Sequence, residues 1–353
     1  MHWSGSITSS MRLYVNYFCL PAAAFLLAGC NTVVLNPAGD VASQQGHLLV
    51  VSTMLMLLII VPVIALVGLF AWRYRKGNTT ARYEPDWDHS TALELVIWGA
   101  PLLIIIVLGL LTWIGTHTLD PYRKLTRLDA NRPLPAHVKP LKVEVVALDW
   151  KWLFIYPGLG IASVNEVAAP VDTPIEFHIT ASSIMNSFFI PSLAGQIYAM
   201  PGMQTSLNAV INQAGEFEGF SANYSGSGFS DMKFKFHGMD QARFDEWVQK
   251  IKANKALDRA GYLVLEKPSQ REPVRHYGSV DPTLYHAILN RCVNEGTICM
   301  DQMMMADAQS NRRVYLKAAA ESGVDPFLLA ELDREINKNI CRAYPDFSFV
   351  KGK

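Results

Sequence analysis

The sequence carries little charge and no surplus of either sign. Of its 353 residues, 18% are charged, and 31 lysines and arginines balance 31 aspartates and glutamates. A surface that holds nucleic acid through its phosphates needs a basic surplus. We therefore expect no nucleic acid partner for this chain.

Cysteine is also scarce. The five cysteines are Cys19, Cys30, Cys292, Cys299 and Cys341. None of them has the CxxC spacing that is typical of a zinc or dithiol site. Cys292 and Cys299 are close enough in sequence to form a small disulfide loop in an oxidising compartment. Cys341 would then be left over, or would pair with either of them.

Hydrophobic residues, by contrast, make up 50% of the chain, and the mean hydropathy of +0.15 is high for a soluble protein. The excess falls in two uncharged runs, Leu48–Trp72 and Leu95–Thr116. Each run is long enough to span a bilayer, and Pro62 and Pro101 lie inside them. The pattern predicts a transmembrane hairpin within residues 30–120, with helices over about 48–72 and 93–116.

The basic residues predict how this hairpin is oriented. The loop between the two runs carries Arg73, Arg75, Lys76 and Arg82, whereas residues 31–47 contain no lysine or arginine. Basic loops stay on the cytoplasmic side. We therefore expect the N-terminus and the large C-terminal part to face the periplasm of a bacterial inner membrane.

The first residues resemble a secretory signal. A short apolar stretch, Phe18–Leu27, ends in the Leu-Ala-Gly-Cys pattern of the bacterial lipobox, in which the cysteine receives a diacylglyceryl group. Residues 1–29 are thus predicted to be a lipoprotein signal peptide, with Cys30 as the lipidated N-terminus. Met1 and Met11 are both candidate starts. The alternative is an uncleaved signal anchor with an incidental cysteine.

From Leu141 onward the pattern changes to short β-rich runs separated by Gly, Pro and Asn, which favours an antiparallel sandwich or barrel. Asp240 is a candidate cap for a helix, Leu263–Leu265 suggests a returning strand, and Asp325-Pro326 suggests another helix start. We expect a β domain over residues 121–267 and a helical C-terminal extension over 268–353.

The most informative stretch is Ser221–Met232, which reads Ser-Ala-Asn-Tyr-Ser-Gly-Ser-Gly-Phe-Ser-Asp-Met. Its spacing resembles the C-x-E-x-C-G-x-x-H-x-x-M copper loop of subunit II of the haem-copper oxidases. Upstream, Asn186–Leu193 resembles that family's H-S-F-x-x-P-S-L pattern, with Asn186 in place of histidine. The positions that match the copper ligands are Asn186, Ser221, Asn223, Ser225, Phe229 and Met232.

This resemblance, which covers about Gly46–Pro268, implies the quinol-oxidase branch, in which subunit II has lost its dinuclear copper. It also implies a cupredoxin fold for the β domain. Chemistry agrees with the loss, because copper shared between two centres needs bridging thiolates, and a serine hydroxyl is a poor copper ligand. We expect no metal and no catalytic residue in this chain.

Glu94 stands at the cytoplasmic start of the second apolar run. A carboxylate at that depth is costly unless it meets water or a partner. The family has a glutamate here, at the mouth of a proton-uptake path in subunit I. The alternative is that the Glu94 side chain only extends to the membrane interface and has no role in proton uptake.

The resemblance implies a subunit of a proton-pumping complex that oxidises ubiquinol and reduces oxygen to water. Haems and copper would belong to subunit I, which would be a partner together with small membrane subunits and the lipid bilayer. Two alternatives remain: a copper-bearing cytochrome c oxidase subunit, and a non-enzymatic lipoprotein with a cupredoxin-like binding or assembly module. Intact copper ligands would favour the first, and purification without haem-bearing partners the second.

Overall fold

The computed structural model describes residues 32–343 except 83, 85 and 136, and the side chains of 341–343 are outside the description. The predicted signal peptide and Cys30 therefore lie outside the described residues. So does the side chain of Cys341.

Two long helices form the predicted hairpin, α1 (Asp40–Arg73) and α2 (Thr91–Thr118). Both are long and apolar enough to cross a membrane, and their most apolar segments are almost unburied within this chain. Each helix is longer than its apolar run, because polar residues continue the helical conformation past the run. Pro62 and Pro101 lie inside the helices, as the sequence predicts.

A β domain follows the hairpin. Its strands are β1 (Leu141–Leu148), β2 (Lys151–Tyr156), β3 (Ile161–Val164), β4 (Glu166–Pro170), β5 (Pro174–Ala181), β6 (Asn186–Phe189), β7 (Ile197–Ala199), β8 (Thr205–Val210), β9 (Gly215–Ser221) and β10 (Lys233–Met239). The C-terminal part adds α3 (Gln241–Lys252), β11 (Ala256–Leu257), α4 (Arg259–Glu266), β12 (Arg275–Tyr277), β13 (Ser279–Val280), α5 (Leu284–Leu289), α6 (Met300–Glu321) and α7 (Pro326–Ala343).

In the described residues the strands form two main sheets, ordered β12-β3-β2-β1-β5-β8 and β4-β10-β9-β6-β7, and a small β11-β13 pair. The predicted β-sandwich is confirmed, and most of its strand pairs are antiparallel, but two pairs in the main sheets are parallel. Strand β1 pairs in parallel with β5, and β10 pairs in parallel with β4. The chain leaves the first sheet through β4 and returns through β5, and this crossover brings β1 and β5 side by side in the same direction.

The domain is held together by two apolar clusters. One lies between the main sheets and includes Trp152, Phe154, Phe188 and Phe234, all at most 2% exposed. The other lies between the larger sheet and the C-terminal elements, with Tyr262 among its members. Burial of large aromatic side chains on this scale is the main favourable term in folding.

The predicted strand at Leu263–Leu265 is wrong, since these residues lie in helix α4. The carboxylate of Asp258 caps this helix by accepting from the Gly261 amide at 2.7 Å. Tyr262 and Leu265 are buried three residues apart, while Val264 is 66% exposed, which is helical spacing. Periodicity cannot separate a short apolar run in a helix from one in a strand.

The C-terminal extension begins as part of the β domain. Strand β12 pairs with β3 and so completes the larger sheet beyond the predicted boundary at 268. A disulfide joins Cys292 to Cys299, with Cα atoms 4.8 Å apart, between α5 and the start of α6. Peptide mapping without reduction tests the predicted pairing. Helices α6 and α7 pack against each other, with Arg312 paired to Asp333.

Candidate functional site

The loop that matches the copper loop connects β9 to β10. Its last residues form one 3-10 turn, Phe229–Asp231, before β10 begins. Strand β6 pairs antiparallel with β9, with Phe188 opposite Ser221. This register brings Asn186 beside the loop, although the two stretches are 35 residues apart.

Three of the ligand-matching positions, Asn186, Ser221 and Asn223, are joined by hydrogen bonds. Asn186, Ser221, Ser225 and Met232 are between 1% and 6% exposed. The Ser221 hydroxyl oxygen lies 3.1 Å from the Asn186 side-chain oxygen and 3.2 Å from the Asn223 carbonyl oxygen, and can donate to either. The Asn186 amide donates to the Ile184 carbonyl at 3.0 Å. The side chains of Asn186 and Ser221 are therefore satisfied within the protein, whereas the buried Ser225 hydroxyl has no hydrogen-bond partner among the described residues.

These side chains do not fit a dinuclear copper centre. The two bridging positions hold the hydroxyls of Ser221 and Ser225, and neither supplies a thiolate. Phe229 offers no donor, and its ring instead packs edge-on against Tyr224, with ring centroids 5.7 Å apart. Across the described residues, no three His, Cys, Asp or Glu side chains are grouped so that they could hold a metal ion.

Trp150 covers the loop from outside. Its indole nitrogen donates to the Ser225 carbonyl at 3.0 Å, and its backbone has a φ of 65°, which is uncommon outside glycine. A Cβ on Gly228 would lie 2.4 Å from the Trp150 ring, so only glycine fits there. The loop and Trp150 thus form one packed unit.

An aromatic cluster lies directly beneath this unit. Trp152 contacts Phe188 and Phe234, with ring centroids 5.4 and 5.6 Å apart, and Phe188 stacks on Phe234 at 5.3 Å. The Trp152 indole nitrogen is buried and has no hydrogen-bond partner among the described residues. Met232, the last residue of the loop, belongs to the same buried cluster.

Glu94 lies in the first turn of α2, far along the chain from the loop, and the structure does not bring the two together. Its carboxylate is 2.8 Å from Nδ1 of His89, and His89 Nε2 is 3.1 Å from the Thr91 hydroxyl. Both side chains are more than half exposed within this chain. Sequence reasoning missed His89, although a histidine five residues before the glutamate was a visible signal.

A second polar cluster was also missed. Glu166 lies 2.6 Å from His276, 3.2 Å from His237 and 3.2 Å from the Trp247 indole nitrogen. Burial alone would raise the pKa of this carboxyl, but the contacts from His237, His276 and Trp247 outweigh it and lower the pKa to about 2. The cluster ties β4, β10, α3 and β12 together.

Two protein families match the chain. The periplasmic domain of cytochrome c oxidase subunit II matches residues 141–238, and the cytochrome oxidase aromatic-rich motif matches residues 252–296. The second match crosses the boundary that the sequence predicts between the β domain and the C-terminal extension. Strand β12, which pairs with β3 of the larger sheet, lies within this second match.

Named relatives resemble most of the chain. Cytochrome bo(3) ubiquinol oxidase subunit 2 of Pseudomonas putida is 50% identical over 267 residues, which is 75% of this chain and 82% of the relative. Ubiquinol oxidase subunit 2 of Acetobacter aceti is 45% identical over 305 residues, covering 86% of this chain and 94% of the relative.

Among solved structures, the periplasmic domain of subunit II of cytochrome oxidase of Bradyrhizobium japonicum is 22% identical, with a TM-score of 0.30. It covers 31% of this chain and 91% of that domain. The identity and coverage of the two named relatives are high enough to assign this chain to their family. The chain belongs to the family of ubiquinol oxidase subunit 2, the quinol-oxidising branch of the haem-copper oxidase subunit II proteins.

Proposed function

We propose that this chain is the copper-free, non-catalytic subunit II of a respiratory ubiquinol oxidase. The complex oxidises ubiquinol, reduces oxygen to water and moves protons across the bacterial inner membrane. Haems and copper belong to subunit I, which this chain covers together with the small membrane subunits. The chain contributes two packing helices, the periplasmic domain and a proton-uptake carboxylate.

One observation carries the copper-free assignment. The positions that would hold copper are occupied by hydroxyl, amide and phenyl groups, and Ser221 is already hydrogen-bonded to its neighbours. A soft metal gains nothing by displacing these contacts, because hard neutral oxygens are poor ligands for it. Electrons from quinol therefore have no metal to pass through in this subunit.

The test is to add copper to the purified complex and to a matched variant, Ser221→Cys with Ser225→Cys. We expect no mixed-valence copper-pair signal by electron paramagnetic resonance from the wild-type complex. Such a signal from the wild type would overturn the copper-free assignment. Copper bound by subunit I is distinguished because it does not show this paired signal.

Glu94 is the proposed proton-uptake residue. It stands at the end of α2 next to the basic loop, on the side from which protons are taken up. A carboxylate there, held by His89, can pass protons from the cytoplasm toward subunit I. Turnover of Glu94→Gln tests this role.

The proposed N-terminus is a lipidated Cys30 in the periplasmic leaflet. Mass spectrometry of the mature chain should find a diacylglyceryl adduct and no residue before Cys30. An unmodified Cys30 within an intact precursor would contradict the lipid anchor. Cys30→Ser should still assemble, since two membrane helices already hold the protein.

Neither alternative function gains support from a particular observation. A copper-bearing subunit would need thiolates at Ser221 and Ser225. A free-standing lipoprotein would have no use for two membrane-spanning helices, because a lipid anchor alone tethers such a module. Purification in detergent separates the cases, since the proposed subunit comes out with haem-bearing partners.

A further inference from the structure

A polar cavity lies where the ends of α1 and α2 meet the β domain. Its volume is about 270 Å³. The walls come from the first turns of α1, the segment 118–127 that follows α2, and strand β8 with the loop before β7. Since the β domain is periplasmic, this cavity is at the periplasmic surface of the bilayer.

Of the three basic side chains that line the cavity, only Arg127 is paired with a carboxylate. Asp40, buried at the start of α1, is bound by Arg127 through two nitrogens at 2.9 and 3.1 Å and by Gln44 at 2.8 Å. The positive charge of Arg127 is therefore matched by a carboxylate.

The other two basic side chains of the cavity, Arg123 and Lys124, have no acidic partner in the part of the chain that the structure describes. The Arg123 guanidinium donates only to the His117 carbonyl, at 3.3 Å, and the Lys124 ammonium makes no hydrogen bond or ion pair within the described residues. The nearby Asp120 carboxylate accepts from the Tyr122 amide at 2.9 Å and supplies one negative charge to the same wall. With Arg127 paired to Asp40, the two cations Arg123 and Lys124 face the single carboxylate of Asp120, so the cavity wall carries a net positive charge that favours an anion.

An interhelical groove continues directly from this cavity into the membrane. The two share Gln45, Leu119, Asp120 and Pro121 in their walls. The groove has a volume of about 470 Å³ and runs between Leu48 and Ser52 on α1 and Thr112 and Gly115 on α2. Thr112 donates its hydroxyl to the Leu108 carbonyl of its own helix, at 2.8 Å.

We propose that the cavity and the groove together bind one anionic phospholipid of the periplasmic leaflet. Its phosphate lies between Arg123 and Lys124, and one acyl chain lies in the groove between α1 and α2. A polar, cationic chamber that opens into an apolar channel at the membrane surface matches a phospholipid in both charge and shape. The lipid would join the hairpin to the β domain.

This inference rests on the hairpin crossing the bilayer and is independent of quinol oxidation, so the two can fail separately. The complex is purified in detergent, stripped of lipid, and titrated with phosphatidylglycerol while native mass spectrometry counts the adducts. We expect one retained lipid per chain in the wild type. In Arg123→Gln with Lys124→Gln, binding should weaken about tenfold, as expected for the loss of charge-assisted contacts to phosphate.

Two control variants separate charge from fold. Lys139→Gln with Lys252→Gln removes the same charge away from the cavity and should leave the affinity unchanged. Arg123→Lys with Lys124→Arg keeps both charges and should retain the lipid. Unchanged lipid binding in the double glutamine variant, with normal haem content, would overturn the proposal.

A further variant separates a lipid from a free phosphate. Ser52→Phe fills the groove and leaves the cations in place. We expect it to lose phosphatidylglycerol, and we expect inorganic phosphate alone to compete poorly in the wild type. If phosphate displaced the lipid fully, or if Ser52→Phe bound phosphatidylglycerol as the wild type does, the acyl chain would have no part in binding and the lipid site would be refuted.

Discussion

The β domain and the transmembrane hairpin differ in where their stabilising contacts come from. In the domain, aromatic side chains such as Phe188 and Trp152 are fully buried, and polar groups such as Glu166 and Ser221 bond to neighbours in the same chain. In the hairpin, apolar side chains such as Leu103 point away from the chain, 66% exposed. The domain supplies its own core, whereas the hairpin leaves its apolar surface for lipid or for other membrane helices.

The largest expected effect tests this difference with one truncation in each region. Phe188→Ala should destabilise the chain by about 3–5 kcal/mol, because it opens a cavity under the copper-like loop. Leu103→Ala should change stability by less than about 0.5 kcal/mol in the isolated chain. Chemical unfolding in detergent, followed by tryptophan fluorescence, measures both. Equal effects of the two truncations would contradict the comparison.

Glu166→Gln should have the next largest effect. The folded-state pKa of about 2 lies below the usual carboxyl value of 4.5, so the ionised carboxylate stabilises the fold above that usual value. We expect a loss of about 2 kcal/mol at pH 7, allowing for partial solvent screening.

The pH dependence supplies the check on Glu166. The stabilisation is lost as pH falls from the unfolded value toward 2, so the wild type and Glu166→Gln should converge in acid. Unfolding curves at pH 7 and pH 3 measure this, and the difference between the two proteins should be smaller at pH 3 without vanishing, because pH 3 is still above the folded-state pKa. Glu218→Gln, which removes a carboxylate from an exposed pair with Lys233, is the matched control and should change little at either pH.

The two regions also differ in how much their sequence predicts. The hairpin is encoded by long uncharged runs, and its helices, Asp40–Arg73 and Thr91–Thr118, contain both predicted spans. The copper-like loop is encoded by spacing within twelve residues. Both signals are local, so the sequence was enough to predict them.

What could not be predicted depends on contacts between distant residues. Glu166 and His276 are 110 residues apart, and no local pattern connects them. The parallel pairing of β1 with β5 depends on where the intervening strands lie, and the helix around Leu263 depends on burial against the larger sheet. Tertiary packing determines these features, so a short stretch of sequence taken alone does not predict them.

Glu94→Gln tests the hairpin, where we expect the substitution to change function and not stability. The substitution keeps the size and removes the charge, so assembly and haem content should be normal. We expect turnover to fall about tenfold, which corresponds to about 1.4 kcal/mol of activation free energy. Oxygen consumption and the rate of haem reduction measure the effect, and Glu94→Asp should recover part of it. If Glu94→Gln turned over at the wild-type rate, Glu94 would have no part in proton uptake and the chain would have a structural role only.

The smallest expected effect concerns His89, which holds Glu94 at 2.8 Å. If His89 only orients the carboxylate, a side chain that keeps a hydrogen bond should replace it. His89→Gln should then turn over at nearly the wild-type rate, while His89→Leu, which offers no hydrogen bond, should be about twofold to threefold slower, a loss of well under 1 kcal/mol. If His89→Leu were as slow as Glu94→Gln, the imidazole itself would be passing the proton. If His89→Leu matched the wild type, the carboxylate would need no partner from this chain, and its orientation would have to come from subunit I.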